Sequence, residues 1–221
     1  MPAATIELDV FLPLVMPHCP GAPEFVVLRN IRLAAIEFCE RTRCWRHLTT
    51  VQVNKDGQAI AAPFFAAIHL IERATFEDGR DLTPIQFSDV DERAVQETLG
   101  GMPTYITQSR YDTVRIIPFR EGDLHLSLFL KPLNGGAFFK AQDGTVRDLH
   151  DQIPEFMWSM HAEPIASGAV ARILTQPDKP WTNPQLAAPH AARFEQAMTT
   201  HFSASVRGQQ RARHRTRYVD L

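Results

Sequence analysis

A chain of 221 residues with 44% hydrophobic and 22% charged side chains has the composition of an ordinary folded protein, one domain or two small ones. Its formal net charge of −2 excludes a protein whose whole surface grips nucleic acid. The opening MPAATIELDVFLPLV has neither a basic leader nor a long apolar core, so no signal peptide is expected, and no run is long and apolar enough to span a bilayer.

Residues 1–23 read as an extended, proline-rich lead-in. Ile6, Leu8, Val10 and Leu12 alternate with residues of other character, which predicts a strand or an arm wrapped on a neighbour. A helix is predicted to follow from Glu24 to Arg46–Leu48. Leu28, Ile31, Ala35, Phe38 and Trp45 recur at three- and four-residue steps, and Arg29, Arg32, Glu37, Glu40, Arg41 and Arg43 fall elsewhere, so one side alone is expected to be apolar. Glu37 and Arg41 stand in the favourable i,i+4 order, worth about 0.3 kcal/mol.

From Val51 the texture changes to short strands and turns. Asn54-Lys55-Asp56-Gly57, Glu77-Asp78-Gly79-Arg80 and Glu121-Gly122-Asp123 are turn signals. Ala67–Phe76 and Leu82–Phe87 are predicted to pair as a hairpin, followed by a short helix from Ser88 or Asp89 to about Leu99. Thr104–Thr107, Val114–Pro118 and the alternating Leu124, Leu126, Leu128 and Leu130 are further strands, and Asn134–Asp148 reads as loop. Helical texture returns near Asp151, with Phe156, Met157, Met160, Ile165, Ala169 and Ile173 as its stripe and Pro164 expected to kink it. Asn183-Pro184 opens a last helix, lined by Leu186, Phe194, Ala197, Met198 and Phe202, with Gly208 as its stop.

The predicted fold class is α+β: a small bundle of one N-terminal and two C-terminal long helices, with an inserted antiparallel β unit. The divisions are a lead-in at 1–23, a helical part at 24–50 plus 149–206, a β part at 51–148 and a basic arm at 207–221.

Chemistry-bearing motifs are few. There is no nucleophile elbow, no Walker loop and no dinucleotide fingerprint, and Gly100-Gly101 and Gly135-Gly136 are too short to cradle phosphate. The nine histidines fall in no zinc spacing. His18 and Cys19 sit among prolines, His125 faces away from the leucines of its strand, and Asp89 and Asp91 suit helix capping. Cys39 and Cys44 lie five apart on the predicted helix, pointing in different directions and poorly placed for a bridge, so three reduced thiols of a cytosolic compartment are expected. Trp45 and Trp181 read as core or hinge aromatics. No catalytic, cofactor-binding or metal residue is assigned.

The tail is the unusual stretch. RGQQRARHRTRYVDL places Arg207, Arg211, Arg213, Arg215 and Arg217 around His214, opposed by Asp220 and the terminal carboxylate. Arginine favours bidentate contact with carboxylate or phosphate. The segment suits a solvated terminus, an arm that orders on a partner protein, or a contact to DNA backbone.

Three stretches together resemble the head-to-tail adaptor (connector, or neck) proteins of tailed bacteriophages. They are LPLVMPHCPGAPEFVVLRNIRLAAIEFCERTRCWR from Leu12, GGMPTYIT with VRIIPF between Gly100 and Phe119, and IASGAVARILTQPDKPWTNPQLAAPHAARFEQAM from Ile165. The resemblance covers nearly the whole chain, with Pro164 and Pro189 as departures inside the helices. It implies a non-enzymatic virion protein without cofactor, present in the host cytoplasm before assembly. It further implies a ring, typically of twelve copies, below the portal protein, extending the DNA channel toward downstream neck and tail proteins. Double-stranded DNA would be met non-specifically and no membrane would be involved. Arg207, Arg211, Arg213, Arg215, Arg217 and Tyr218 would form the portal-docking arm. The rival readings are another neck or tail component (head-closure, tail-terminator or tail-tube protein) and a nucleic-acid-binding module.

Overall fold

The structure, a computed structural model, describes residues 4–89, 101–134, 138–140, 146–148 and 152–207. The predicted helix over Ser88–Leu99 therefore lies mostly outside the described residues; Phe87–Asp89 form a 3-10 turn. Prolines shape the lead-in, which is not extended as expected. Only β1, Thr5–Glu7, is a strand. It is followed by a 3-10 turn at Leu8–Phe11, helix α1 at Leu12–Val15 and a second 3-10 turn at Met16–His18. Pro13 and Pro17 occupy first-turn positions, where a missing N–H costs nothing. Leu8, Phe11, Val15 and Cys19 are buried at three- and four-residue steps, so the helical period overrides the alternation that predicted a strand.

Helix α2, Glu24–Thr42, ends short of the expected Arg46–Leu48 because Arg43 adopts a left-handed conformation (φ 53°, ψ 36°), its N–H bonding the Cys39 carbonyl at 2.9 Å. The one-sided expectation also fails. Val27, Ile31, Ala34, Ala35, Phe38 and Cys39 are buried, and so are Asn30, Arg32 and Thr42. Each of these polar groups has a carbonyl to serve: Asn30 bonds Val26 O, Thr42 bonds Phe38 O, and Arg32 reaches Leu133 O at 3.2 Å. The helix carries buried residues on several sides because it touches the sheet as well as other helices.

That sheet comprises β2 (Arg46–Val53), β4 (Ala66–Phe76) and β8 (Gly122–Pro132), antiparallel in the order β2-β8-β4. Leu126 pairs with Thr49 on one side and Ala74 on the other, and Leu124, Leu126, Leu128 and Leu130 are buried in alternation. A second sheet joins β3 (Gln58–Ile60), β7 (Thr113–Ile117), β6 (Tyr105–Gln108) and β5 (Thr83–Pro84). The β unit is thus not wholly antiparallel, since β5 runs parallel to β6. The turn at Asn54 forms as predicted: the Asn54 carboxamide oxygen accepts from the N–H groups of Asp56 and Gln58. Gly57 sits at φ +70°, where an added Cβ would meet Phe119 Cδ1 at 2.7 Å.

The expected loop at Asn134–Asp148 contains a two-stranded ladder, β9 (Phe138–Lys140) with β10 (Val146–Asp148). The expected helix start near Asp151 is instead β11, Gln152–Pro154, paired with β1. Helix α3, Phe156–Leu174, departs from helical geometry at His161 (φ −136°, ψ 19°), in the turn preceding Pro164. Helix α4, Pro184–Arg207, starts where predicted, with the Asn183 side-chain oxygen accepting from the Leu186 N–H at 3.1 Å. Among the described residues the fold is mixed α+β with four helices, one more at the N-terminal end than expected, and several antiparallel sheets.

Helices α2, α3 and α4 meet through Phe38, whose ring lies 6.2 Å from Phe194, 4.9 Å from His161 and 5.6 Å from His201. Around this centre Glu37 of α2 pairs with Arg172 of α3, and Arg41 of α2 with Glu195 of α4 at 2.6 Å. Glu37 and Arg41, expected as a simple surface pair, are 3.8 Å apart and each reaches another helix. Gly168 lets Phe194 approach: a Cβ there would stand 2.9 Å from three ring carbons. Gly168→Ala is therefore expected to destabilise the protein by about 1–3 kcal/mol in urea denaturation, as overpacking does in a filled core. Trp45, just before β2, stacks on Phe65, just before β4, at 5.9 Å and meets Phe156 of α3 edge-on at 6.2 Å; Trp45 and Phe65 belong to one buried cluster and Phe156 packs against it.

Candidate assembly surfaces

Of the predicted docking residues, Arg207 is the last residue of α4. Arg211, Arg213, Arg215, Arg217 and Tyr218 lie outside the described residues. What the structure does fix is the base from which the arm departs. The helix is seated on the core by Ala187, Phe194 and Met198, which recur at seven- and four-residue steps and are buried.

The described surface carries large apolar side chains that the core leaves out. Phe25 in the first turn of α2 is 73% exposed, Leu48 on β2 72%, Ile60 on β3 70% and Met160 on α3 60%. Such residues on a folded surface mark interaction sites when they cluster. Strand β2 is also an edge of its sheet, bonded to β8 on one side. Beside Leu48 an open groove of about 400 Å³ runs over the sheet face turned away from the leucines. It is lined by Thr50, Arg73, Thr75, His125 and Ser127.

Polar groups of the groove are engaged with one another or with the neighbouring carboxylates of Asp81 and Glu72. The Thr50 hydroxyl and the His125 Nδ1 are 2.9 Å apart, and the Arg73 guanidinium bonds both Asp81 carboxylate oxygens. Arg73 and then the Thr75 hydroxyl hold the Asp81 carboxyl below its usual range. His125 is exposed, as its place opposite the leucines predicted. This face is a polar surface with an apolar edge at Leu48.

A second, smaller pocket of about 130 Å³ lies where α3 and α4 meet the lead-in, lined by Leu14, His18, Glu163, Ser167, His190 and Arg193. His18 and His190 stack edge-on at 4.8 Å. Burial, then the nearby His18 and Arg193, push the His190 imidazole below its ordinary value. Among the described residues no group of three or more His, Cys, Asp or Glu is placed to hold a metal ion. No helix among them is long and apolar enough to cross a membrane.

Two features escaped the sequence. His161 and His201 come together over Phe38, their rings 4.7 Å apart, although forty residues separate them. Cys39 and Cys44 also come together, with their sulfurs 3.8 Å apart, contrary to the expectation that they point apart. The left-handed Arg43 is the reason: it ends the helix between them and turns Cys44 back over the last turn. No glycine or asparagine announces that stop.

Over residues 13–218 the chain matches the family model described as SU10 adaptor protein, and it belongs to that family of phage adaptors. No curated protein matches it. Membership makes it a structural phage adaptor and a virion component, acting in general between portal and tail proteins.

Proposed function

We propose that this adaptor forms a ring below the portal, typically of twelve copies, that prolongs the DNA channel and offers the attachment site for tail components. The observation that carries the reading is the family match across nearly the whole chain, on into the arginine segment. The two-part division into a helical bundle (24–50 plus 149–206) and a β part (51–148) fits it: the helical part turns to the portal and the β part projects. A ring needs heterologous side-to-side contacts, for which the exposed Phe25, Leu48, Ile60 and Met160 supply apolar surface. The slight negative charge suits a passive channel, since phosphate affinity grows with every cationic contact. Three helices of 19, 19 and 24 residues speak against a mostly β tail-tube protein.

Residues 207–221 would enter a portal groove and order there through Arg211, Arg213, Arg215, Arg217 and Tyr218, with Arg207 at the base. Deleting 207–221 is expected to abolish co-sedimentation with portal, while leaving α4 anchored by Phe194 and Met198. Undiminished binding would refute the docking role of the arm. Negative-stain images of full-length adaptor on portal are expected to show an added ring, and particles without one would refute the ring. Salt-steep binding to duplex DNA by the full chain would favour the nucleic-acid-binding reading instead.

A further inference from the structure

The left-handed turn at Arg43 creates a site that neither the fold nor the adaptor role requires. The Arg43 N–H bonds the Cys39 carbonyl at 2.9 Å, so the chain reverses within one residue and lays Cys44 against the last turn of α2. The two sulfurs stand 3.8 Å apart as free thiols, within hydrogen-bond reach of each other. A disulfide brings its sulfurs to about 2.05 Å, so the two sulfurs would have to approach by under about 2 Å. We propose that Cys39 and Cys44 are a redox modification site, converted to an intramolecular disulfide by a peroxide.

The two thiols differ in the way such a reaction needs. Cys39 is fully buried, whereas Cys44 is partly exposed where α2 gives way to β2. The hydrogen bond from Cys39, with a lesser one from Thr42, lowers the Cys44 thiol below its ordinary value. Burial raises the Cys39 thiol well above its own. Cys44 is therefore the attacking sulfur. Its thiolate takes one oxygen from hydrogen peroxide, the O–O bond breaks, and hydroxide leaves with the proton that Cys44 gave up, as water. The Cys39 sulfur then attacks the Cys44 sulfenic sulfur. The S–O bond breaks, the S–S bond forms, and the departing hydroxide takes the Cys39 proton as a second water. Two thiols are oxidised and one peroxide is reduced.

The product would tie the last turn of α2 to the start of β2, one residue from Trp45 and its contacts with Phe65 and Phe156. Cys19 is a built-in control. It is buried, and its thiol is pushed up to about 11 by that burial. The inference does not rest on the ring or on portal binding.

The test is to expose the reduced full-length protein to hydrogen peroxide, unfold it, alkylate it and count thiols by mass spectrometry. The free thiols are expected to fall from three to one, and the tryptic peptides LAAIEFCER and CWR to appear linked and two hydrogens lighter than their sum. Dithiothreitol should restore all three. Cys19→Ser should lose both remaining thiols at the wild-type rate, and Cys44→Ser should keep both. A Cys44 that stops at a sulfinic acid beside a free Cys39 would overturn the proposal. So would a Cys44→Ser variant whose Cys39 is consumed as fast as in the wild type.

Discussion

Phe38→Ala is expected to remove about 3–5 kcal/mol of stability, the range for emptying a large aromatic from a filled core. Phe38 is fully buried in the C-terminal half of α2, and its ring meets two further helices: Phe194 of α4 stacks on it, and His161 of α3 and His201 of α4 pack against it. None of these neighbours can fill the space without leaving its own contacts, so the void would persist. Typical domains hold only 5–15 kcal/mol in all, so the variant would sit near the edge of folding. The measurements are urea denaturation of the full chain, which reads the free-energy loss, and thermal unfolding, in which Tm is expected to fall by roughly 10 °C. A loss below about 1 kcal/mol would show that α2, α3 and α4 do not depend on this ring. Phe25→Ala is the natural control, since that side chain is 73% exposed on the same helix.

The residues that drew attention to α2 in the sequence are the ones that fill this centre, and the reason is periodicity. Ile31, Ala35 and Phe38 recur at helical spacing, and nothing local opposes them. The long strands β4 and β8 were legible for the same reason, as were the Asn54–Gly57 turn and the Asn183-Pro184 start, where side-chain chemistry dictates the backbone. What could not be read was decided by distant partners. The predicted hairpin return at Leu82–Phe87 contains Pro84, which has no N–H for the ladder. The return does begin, with an antiparallel Thr75–Asp81 bridge and the Leu82 N–H bonding the Ala74 carbonyl at 2.8 Å, and from Thr83 the segment pairs with β6 over two residues. Arg32, placed on a polar face by composition, is buried because the Leu133 carbonyl lies 101 residues away in sequence and 3.2 Å away in space. The end of α2 at an arginine in left-handed conformation carries no sequence signal, and with it went the proximity of Cys39 and Cys44. The candidate site divides likewise. Arg207 and the arm stand out as a charge run, and the family is carried by motif order rather than by any one interaction. The exposed edges at Leu48 and Ile60 become visible only once the strands are paired.

Acid is expected to loosen the same helical centre, through His161. Its imidazole is 5% exposed, packed against Phe38 of α2, Phe156 of its own helix and His201 of α4. Its Nδ1 makes no hydrogen bond among the described residues. Burial, reinforced by the facing His201, lowers its pKa from 6.5 to about 4. Between those two values the unfolded chain binds a proton at this ring and the folded chain does not. Stability therefore rises with pH across the window and is lost as pH falls from about 6.5 toward 4. Going from pH 7 to pH 4.5, this one group should withdraw on the order of 2 kcal/mol, at about 1.4 kcal/mol for each tenfold step in proton binding. His161→Leu removes the titration, keeps a side chain of similar volume, and deletes no hydrogen bond made by Nδ1. Urea denaturation at the two pH values should show the wild type losing about 2 kcal/mol more than the variant. Equal losses would mean that the ring accepts its proton in the folded state, through an opening of the α2–α3–α4 contact that the packing around Phe38 does not permit.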